Sequence, residues 1–147
     1  MNLSLIKNWV FDLDNTLYAP EEDVFSQIDK KMTSFISKHF DINNEDAFNI
    51  QKEYFLEYGT TLAGLMNDNS NNINPDEFLE YVHDIDLKSL SPNPELKKAI
   101  NNLTGPKFIF TNGTKYHAEN VIKKLDLENV FESIFDIKSA NYIPKPN

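Results

Sequence analysis

The stretch that most constrains this chain runs from Trp9 to Tyr18. Trp9-Val10-Phe11 is a short apolar, β-favouring run of the kind that forms strands buried on both faces of a parallel sheet. Asp12 follows at once, and Asp14 two residues later. Alternate residues of a strand point the same way, so continued strand would bring both carboxylates to one spot at its carboxyl end. In open α/β sheets that is where ligands bind. Converging carboxylates repel each other, and a hard divalent cation such as Mg²⁺, held by oxygens, is the usual counterweight. The same residues also suit a plain polar turn, with Asp14-Asn15 as turn formers. The surrounding pattern decides between the two.

Downstream, the punctuation is that of helices. Pro20, Glu21, Glu22 and Asp23 mark a helix start, with proline in the first turn and acids facing the positive end of the dipole. Val24, Ile28, Met32, Phe35 and Ile36 then recur at helical spacing to about Phe40. The pattern predicts further helices over 44–58, ended by Gly59, over 60–66, and from Asn74-Pro75-Asp76-Glu77 through Val82. An asparagine-rich stretch around 67–74 reads as a solvated loop. Residues 20–90 therefore read as an all-helical insertion whose aromatic stripes form a bundle core. Asn93-Pro94-Glu95 opens another helix to about Leu103, and Gly105-Pro106 breaks it. Lys107 to Thr111 is a second apolar strand, closed by an Asn112-Gly113 turn. A helix carrying Ala118, Val121, Ile122 and Leu125 and a third strand over 133–137 complete the pattern before a terminal loop over 141–147. Such alternation predicts an α/β fold: a three-stranded parallel sheet built from residues 1–19 and 91–147, with 20–90 inserted as a helical unit.

Composition limits the partners. The 147 residues carry a net charge of −9, which argues against binding nucleic-acid backbones or anionic membrane surfaces. There is no cysteine, so disulfides and thiolate metal sites are excluded. No apolar run approaches membrane-spanning length and Met1-Asn2-Leu3 opens no signal peptide, so a cytoplasmic protein is expected.

Three stretches fall where separate strands end. Asp12 and Asp14 form the first. Thr111-Asn112-Gly113 is the second, where a hydroxyl and free main-chain N–H groups at a strand-to-helix turn can cradle phosphate oxygens. The third is Lys145, held between Pro144 and Pro146. Each alone also suits an ordinary turn or a solvated lysine; their order and strand context together point to a phosphate site.

In that order they resemble the successive motifs of the haloacid dehalogenase superfamily. Asp12, Asp14 and Thr16 match its Asp-x-Asp-x-Thr signature, Phe110-Thr111-Asn112-Gly113 its second motif, and Ile143-Pro144-Lys145-Pro146 its third. Asn15-Thr16-Leu17-Tyr18 and the segment from Tyr58 to Leu65 are similar to the pyrimidine 5′-nucleotidase-like branch. The resemblance implies a Rossmann-like parallel core with a helical cap over residues 20–90, and a Mg²⁺-dependent phosphomonoester hydrolase. It implies Asp12 as the nucleophile, forming an aspartyl-phosphate, and Asp14 as general acid and then base. Mg²⁺ would lie on the Asp12 carboxylate and the Asp14 main-chain carbonyl. Thr111, Asn112, Gly113 and Lys145 would surround the transferring phosphoryl group, and Thr16 would orient the loop. Nucleoside 5′-monophosphates, pyrimidine ones first, are the implied substrates. Another small phosphate ester, such as a sugar phosphate, is the alternative, and a catalytically weak chain that only binds phosphate is the competing reading.

The family continues past its lysine motif into a further strand and a fourth, acidic motif, which is not found before Asn147. Trp9 to Leu13 is accordingly expected to form an unpaired apolar edge, which predicts self-association, element swapping or membership of a longer protein. The metal would then lack its usual extra ligands, binding weakly or through water. His39, His83 and His117 show no metal-ligand spacing, and His117 reads as a packing or capping residue. Asp126, Glu128, Glu132 and Asp136 read as solvated surface.

Overall fold

Three apolar runs separated by turn-forming residues become the strands of the computed structural model, which describes residues 5–68 and 72–146. They are β1 (Trp9–Phe11), β2 (Lys107–Phe110) and β3 (Ser133–Phe135), all parallel and ordered β1-β2-β3. Phe11, Ile109 and Ile134 lie in register across the sheet. The connection from β1 to β2 carries α1 (Val24–Phe40), α2 (Asn44–Tyr58), α3 (Thr61–Asn67), α4 (Pro75–His83) and α5 (Pro94–Asn101), and α6 (Lys115–Lys124) joins β2 to β3. This is the expected α/β fold with a parallel three-stranded sheet.

Helix boundaries follow from capping. Asn43, Thr60, Asn74, Asn93 and Thr114 each accept a hydrogen bond from a main-chain N–H of the first turn they precede, satisfying a donor the helix cannot. Proline stands at the start of α4 and α5. Gly59, at φ +80, ends α2 in the left-handed conformation that glycine adopts at little cost. The Pro20 start is corrected: residues Pro20–Glu22 form only a 3₁₀ turn, and α1 begins at Val24 after Asp23 turns at φ 59. Residues 69–71 of the asparagine-rich stretch lie outside the described residues.

Two apolar clusters hold the chain together. Leu13, Leu17, Ile100, Ile109, Val121 and Leu127 pack on one side of the sheet, with Phe11 and Ile134 against them. Ile28, Ile36, Leu65, Phe78 and Val82 form the core of α1–α4, and Ile137, just past β3, joins them. Ile85 packs against both clusters. The expectation that β1 is buried on both faces is corrected. Val10 is 64% exposed, because β1 lies at the sheet edge and its second face is left outside both clusters.

Candidate active site

β1 stops at Phe11, and a turn follows in which the N–H groups of Thr16 and Leu17 donate to Leu13 O at 3.2 and 2.9 Å. Asn15 takes φ 55, a left-handed conformation that asparagine tolerates. The turn, and not a continued strand, therefore sets the direction of Asp14. Both acids nonetheless line one cavity of about 430 Å³, together with Thr111, Asn112, Gly113 and Lys145. All six residues expected to act on phosphate or metal line this cavity, whereas Thr16 does not.

Each acid has its own protein partners. The Lys145 ammonium lies 2.6 Å from Asp12 Oδ1 and donates to Phe110 O at 2.8 Å. The Lys145 main-chain N–H donates to Asn112 Oδ1 at 2.8 Å, so Asn112 fixes the lysine loop with its side chain. Among the described residues Asp12 Oδ2 has only the Thr16 hydroxyl, at 3.4 Å, and the side chain is 48% exposed. On Asp14, the Tyr18 hydroxyl and His117 Nε2 both stand 2.7 Å from Oδ1. Burial pushes the Asp14 carboxyl up, but the hydrogen bond and charge of His117 and the bond from Tyr18 outweigh it and hold Asp14 below the usual carboxylate range. Burial and the Asp14 charge push the Tyr18 phenol far above its ordinary value, so it keeps its proton. The repulsion expected between the acids is thus offset within the protein, by Lys145 on one and by two donors on the other.

At the end of β2, the Gly113 N–H donates to Thr111 Oγ1 at 2.9 Å, so it is not free as the sequence suggested. The Thr111 hydroxyl keeps its own proton for a ligand, and the Asn112 N–H has no acceptor among the described residues. A Cβ on Gly113 would meet His117 Cδ2 at 3.2 Å and Thr111 Oγ1 at 3.3 Å, so the turn needs glycine's close approach. His117 is the residue that sequence reasoning missed. Thr114 caps its main-chain N–H, as expected of a capped first turn, but its ring is buried against Asp14 and stacked on His83 with centroids 4.5 Å apart. Burial, and then the neighbouring His117, lower His83 to about 3.

Asp136 is also corrected. It is buried rather than solvated, and accepts from Lys115 N, Ser139 N and Ser139 Oγ at 2.8, 2.9 and 2.6 Å. It thereby ties the start of α6 to the loop that leads to Lys145. That loop is also tied to α4, whose Asp76 Oδ1 lies 2.7 Å from Lys138 Nζ and accepts from the Tyr142 hydroxyl at 2.9 Å.

The opposite wall of the cavity comes from α1, α2 and the start of α3. Phe25, Met32 and Phe55 make it apolar, and Asp29, Lys52 and Thr60 add polar groups. Lys52 pairs with Asp29 at 2.8 Å, and the buried Gln51 donates to the same Asp29 Oδ1 at 2.7 Å. Among the described residues no three His, Asp or Glu side chains gather as metal ligands, and no helix is long and apolar enough to cross a membrane.

The haloacid dehalogenase-like hydrolase family matches over residues 6–147. Phosphate metabolism protein 8 of Saccharomyces cerevisiae is 28% identical over an alignment of 140 residues, covering 87% of this chain and 42% of that protein. The chain thus spans well under half the length of this curated relative. A parallel sheet with acids and a threonine turn past its strands, and a loop lysine lining the same cavity, agrees with a match over nearly the whole sequence, and the chain belongs to the haloacid dehalogenase-like hydrolases.

Proposed function

We propose that the chain is a phosphomonoester hydrolase that forms an aspartyl-phosphate on Asp12, with the helices of residues 20–90 as a cap over a base made by 1–19 and 91–147. The observation that carries this reading is the Asp12 carboxylate. Asp12 lines the cavity; Lys145 fixes one of its oxygens at 2.6 Å, and among the described residues the other has only the Thr16 hydroxyl within hydrogen-bond distance.

Asp12 Oδ2 attacks phosphorus, dividing one difficult displacement into two. The leaving alkoxide takes a proton from Asp14. Alone, Asp14 is held ionised; an entering phosphate dianion favours its protonated form by like-charge repulsion. In the second step Asp14 takes a proton from the water that attacks the phosphoenzyme. The Thr111 hydroxyl, the Asn112 N–H and Lys145 donate to the equatorial oxygens, where charge concentrates. Gly113 serves by fixing the Thr111 hydroxyl. The Asp12 carboxylate and the Asp14 main-chain carbonyl are hard oxygen donors that would suit Mg²⁺. Bound there, it supplies charge that lets an anionic nucleophile approach an anionic phosphate.

The apolar wall of Phe25, Met32 and Phe55, with polar Thr60 and Asp29 beside it, suits a flat heteroaromatic group linked to the phosphate. Nucleoside 5′-monophosphates, pyrimidine ones first, are therefore the proposed substrates. The yeast relative's name, which refers to phosphate metabolism, accords with a phosphate ester.

The test is phosphate release from UMP, CMP, AMP, a hexose phosphate and 4-nitrophenyl phosphate, with and without Mg²⁺, beside Asp12→Asn. Mg²⁺-dependent turnover that falls about a thousandfold or more in the variant is expected. Preference for the hexose phosphate would replace the nucleotide assignment. Release no greater than that of Asp12→Asn overturns the phosphatase reading and leaves a phosphate-binding chain.

A further inference from the structure

The two contacts on Asp14 share a feature that the proposed chemistry does not by itself require. Tyr18 and His117 reach the same oxygen, Oδ1, each at 2.7 Å, and no donor among the described residues reaches Oδ2. A carboxylate oxygen has two lone pairs, so Oδ1 can accept from both groups at once. The donors come from separate parts of the fold. Tyr18 is brought back by the turn after β1, whereas His117 belongs to the first turn of α6, where Thr114 holds its main-chain N–H at 3.2 Å. The His117 ring cannot drift from this position. It is 2% exposed, stacked on His83 within 17° of parallel, and bounded by Gly113.

We infer that Tyr18 and His117 are positioning residues that pin Oδ1 of Asp14, so that Oδ2 alone exchanges a proton with the leaving group. The inference rests on the reading of Asp14 as general acid. In the first half-reaction the bond from phosphorus to the leaving oxygen breaks, and its electron pair stays on that oxygen. The proton on Asp14 Oδ2 moves to it, and Oδ1 shares the resulting carboxylate charge with the two donors. In the second half-reaction water attacks phosphorus and returns a proton to Asp14 Oδ2, while the bond from phosphorus to Asp12 breaks and leaves its electron pair on the Asp12 carboxylate. A carboxyl free to rotate would present its proton in several directions; two donors on one oxygen fix the plane, and fixed geometry is where such groups gain their rate.

The test compares kcat/KM, which reports steps up to leaving-group departure, on UMP and on 4-nitrophenyl phosphate. Nitrophenolate departs without needing a proton, whereas the alkoxide of UMP needs one. Tyr18→Phe and His117→Ala are expected to lose about tenfold to a hundredfold on UMP and several times less on the aryl ester. His117→Gln, which returns an N–H near the position of Nε2, is expected to regain part of the loss. Equal losses on both substrates, or none on UMP, overturn the inference.

A second measurement does not depend on turnover. In metal-free protein with labelled histidine, the His117 Nε2–H proton is expected downfield and slow to exchange, and to lose both properties in Asp14→Ala. A signal indifferent to that change overturns the clamp. A coupled signal in a chain inactive on every ester keeps the clamp and overturns the acid role together with the phosphatase reading.

Discussion

Lys145 shows how much a single residue can depend on its anchors. Its ammonium bridges Asp12 Oδ1 and Phe110 O, and its main chain is tied to Asn112. Lys145→Met should leave the fold intact, because the head group lies at the cavity and Asp12 remains reachable by water. It should lower kcat about a hundredfold or more, the usual loss when one preorganised charge on a transferring phosphoryl group is removed. A kcat within a few fold of wild type would place Lys145 outside the chemistry. His83 yields a pH effect. Its ordinary value of 6.5 is lowered to about 3 by burial and by His117, so below pH 6.5 the unfolded chain binds a proton that the fold refuses. Stability is therefore intact above pH 6.5 and falls as pH drops toward 3, by about 2 kcal/mol at pH 5. Urea melts at pH 7 and pH 5 should show this loss, and His83→Leu should show less of it; identical slopes would remove His83 as the cause. That Asp12, Thr111 and Lys145 meet at one cavity was legible from their order along an alternating strand-and-helix pattern, although each alone also suits an ordinary turn or a solvated lysine. Tyr18 and His117 were not, because their task is set by a partner. His117 is 103 residues from Asp14, and no local pattern reports such a pairing. Asp136 looked solvated because nothing in its neighbours reveals the α6 amide it would meet.

At the scale of elements, α2 and α3 approach each other more closely than side chains normally allow. A Cβ on Gly64 would lie 2.3 Å from Tyr54 Cβ and 2.4 Å from Tyr54 Cγ. Both atoms sit at the root of the Tyr54 side chain, so no rotamer change relieves the clash and the helices themselves must separate. Gly64→Ala should therefore destabilise the fold by about 1–3 kcal/mol, the range for overpacking, read as a lower urea midpoint with an unchanged slope. An unchanged midpoint would show that α3 is free to move. The effect should extend to the site, since Thr60, Thr61 and Leu62 at the start of α3 line the cavity. The helices were largely legible, because capping residues and prolines state their starts in local chemistry. The exception is instructive: Pro20 and its acids resemble a helix start, but Asp23 turns left-handed and delays the helix to Val24. Strand lengths were less legible. The third strand was expected over 133–137 but ends at Phe135, where Asp136 and Ile137 leave the ladder for α6 and the helical cluster. Period-two patterning cannot register that change of partner.

At the scale of the whole molecule, the sheet has an open side. Among the described residues β1 pairs only with β2, and Val10 on its outward face is 64% exposed. A strand with unpaired N–H and C=O groups and an apolar side chain is a template for another chain. Natural edges are blunted by a charge, and β1 carries none from Trp9 to Phe11. What opposes association is the net charge of −9, a long-range repulsion between copies. The two terms respond differently to salt. Screening shortens the repulsion, with a Debye length of about 30 Å at 0.01 M falling to about 10 Å at 0.1 M, but leaves edge pairing and apolar contact almost unchanged. Sedimentation velocity should therefore find self-association that grows with protein concentration and strengthens as salt is raised from low values. Val10→Lys should suppress it by placing a charge on the exposed face of the edge strand while leaving Phe11, Ile109 and the cluster beneath them in place. Association that weakens with salt would instead assign the contact to complementary charges elsewhere on the surface. A monomer at every salt and protein concentration would show that the edge is too short to pair, since three residues offer few hydrogen bonds against the entropy of bringing two chains together.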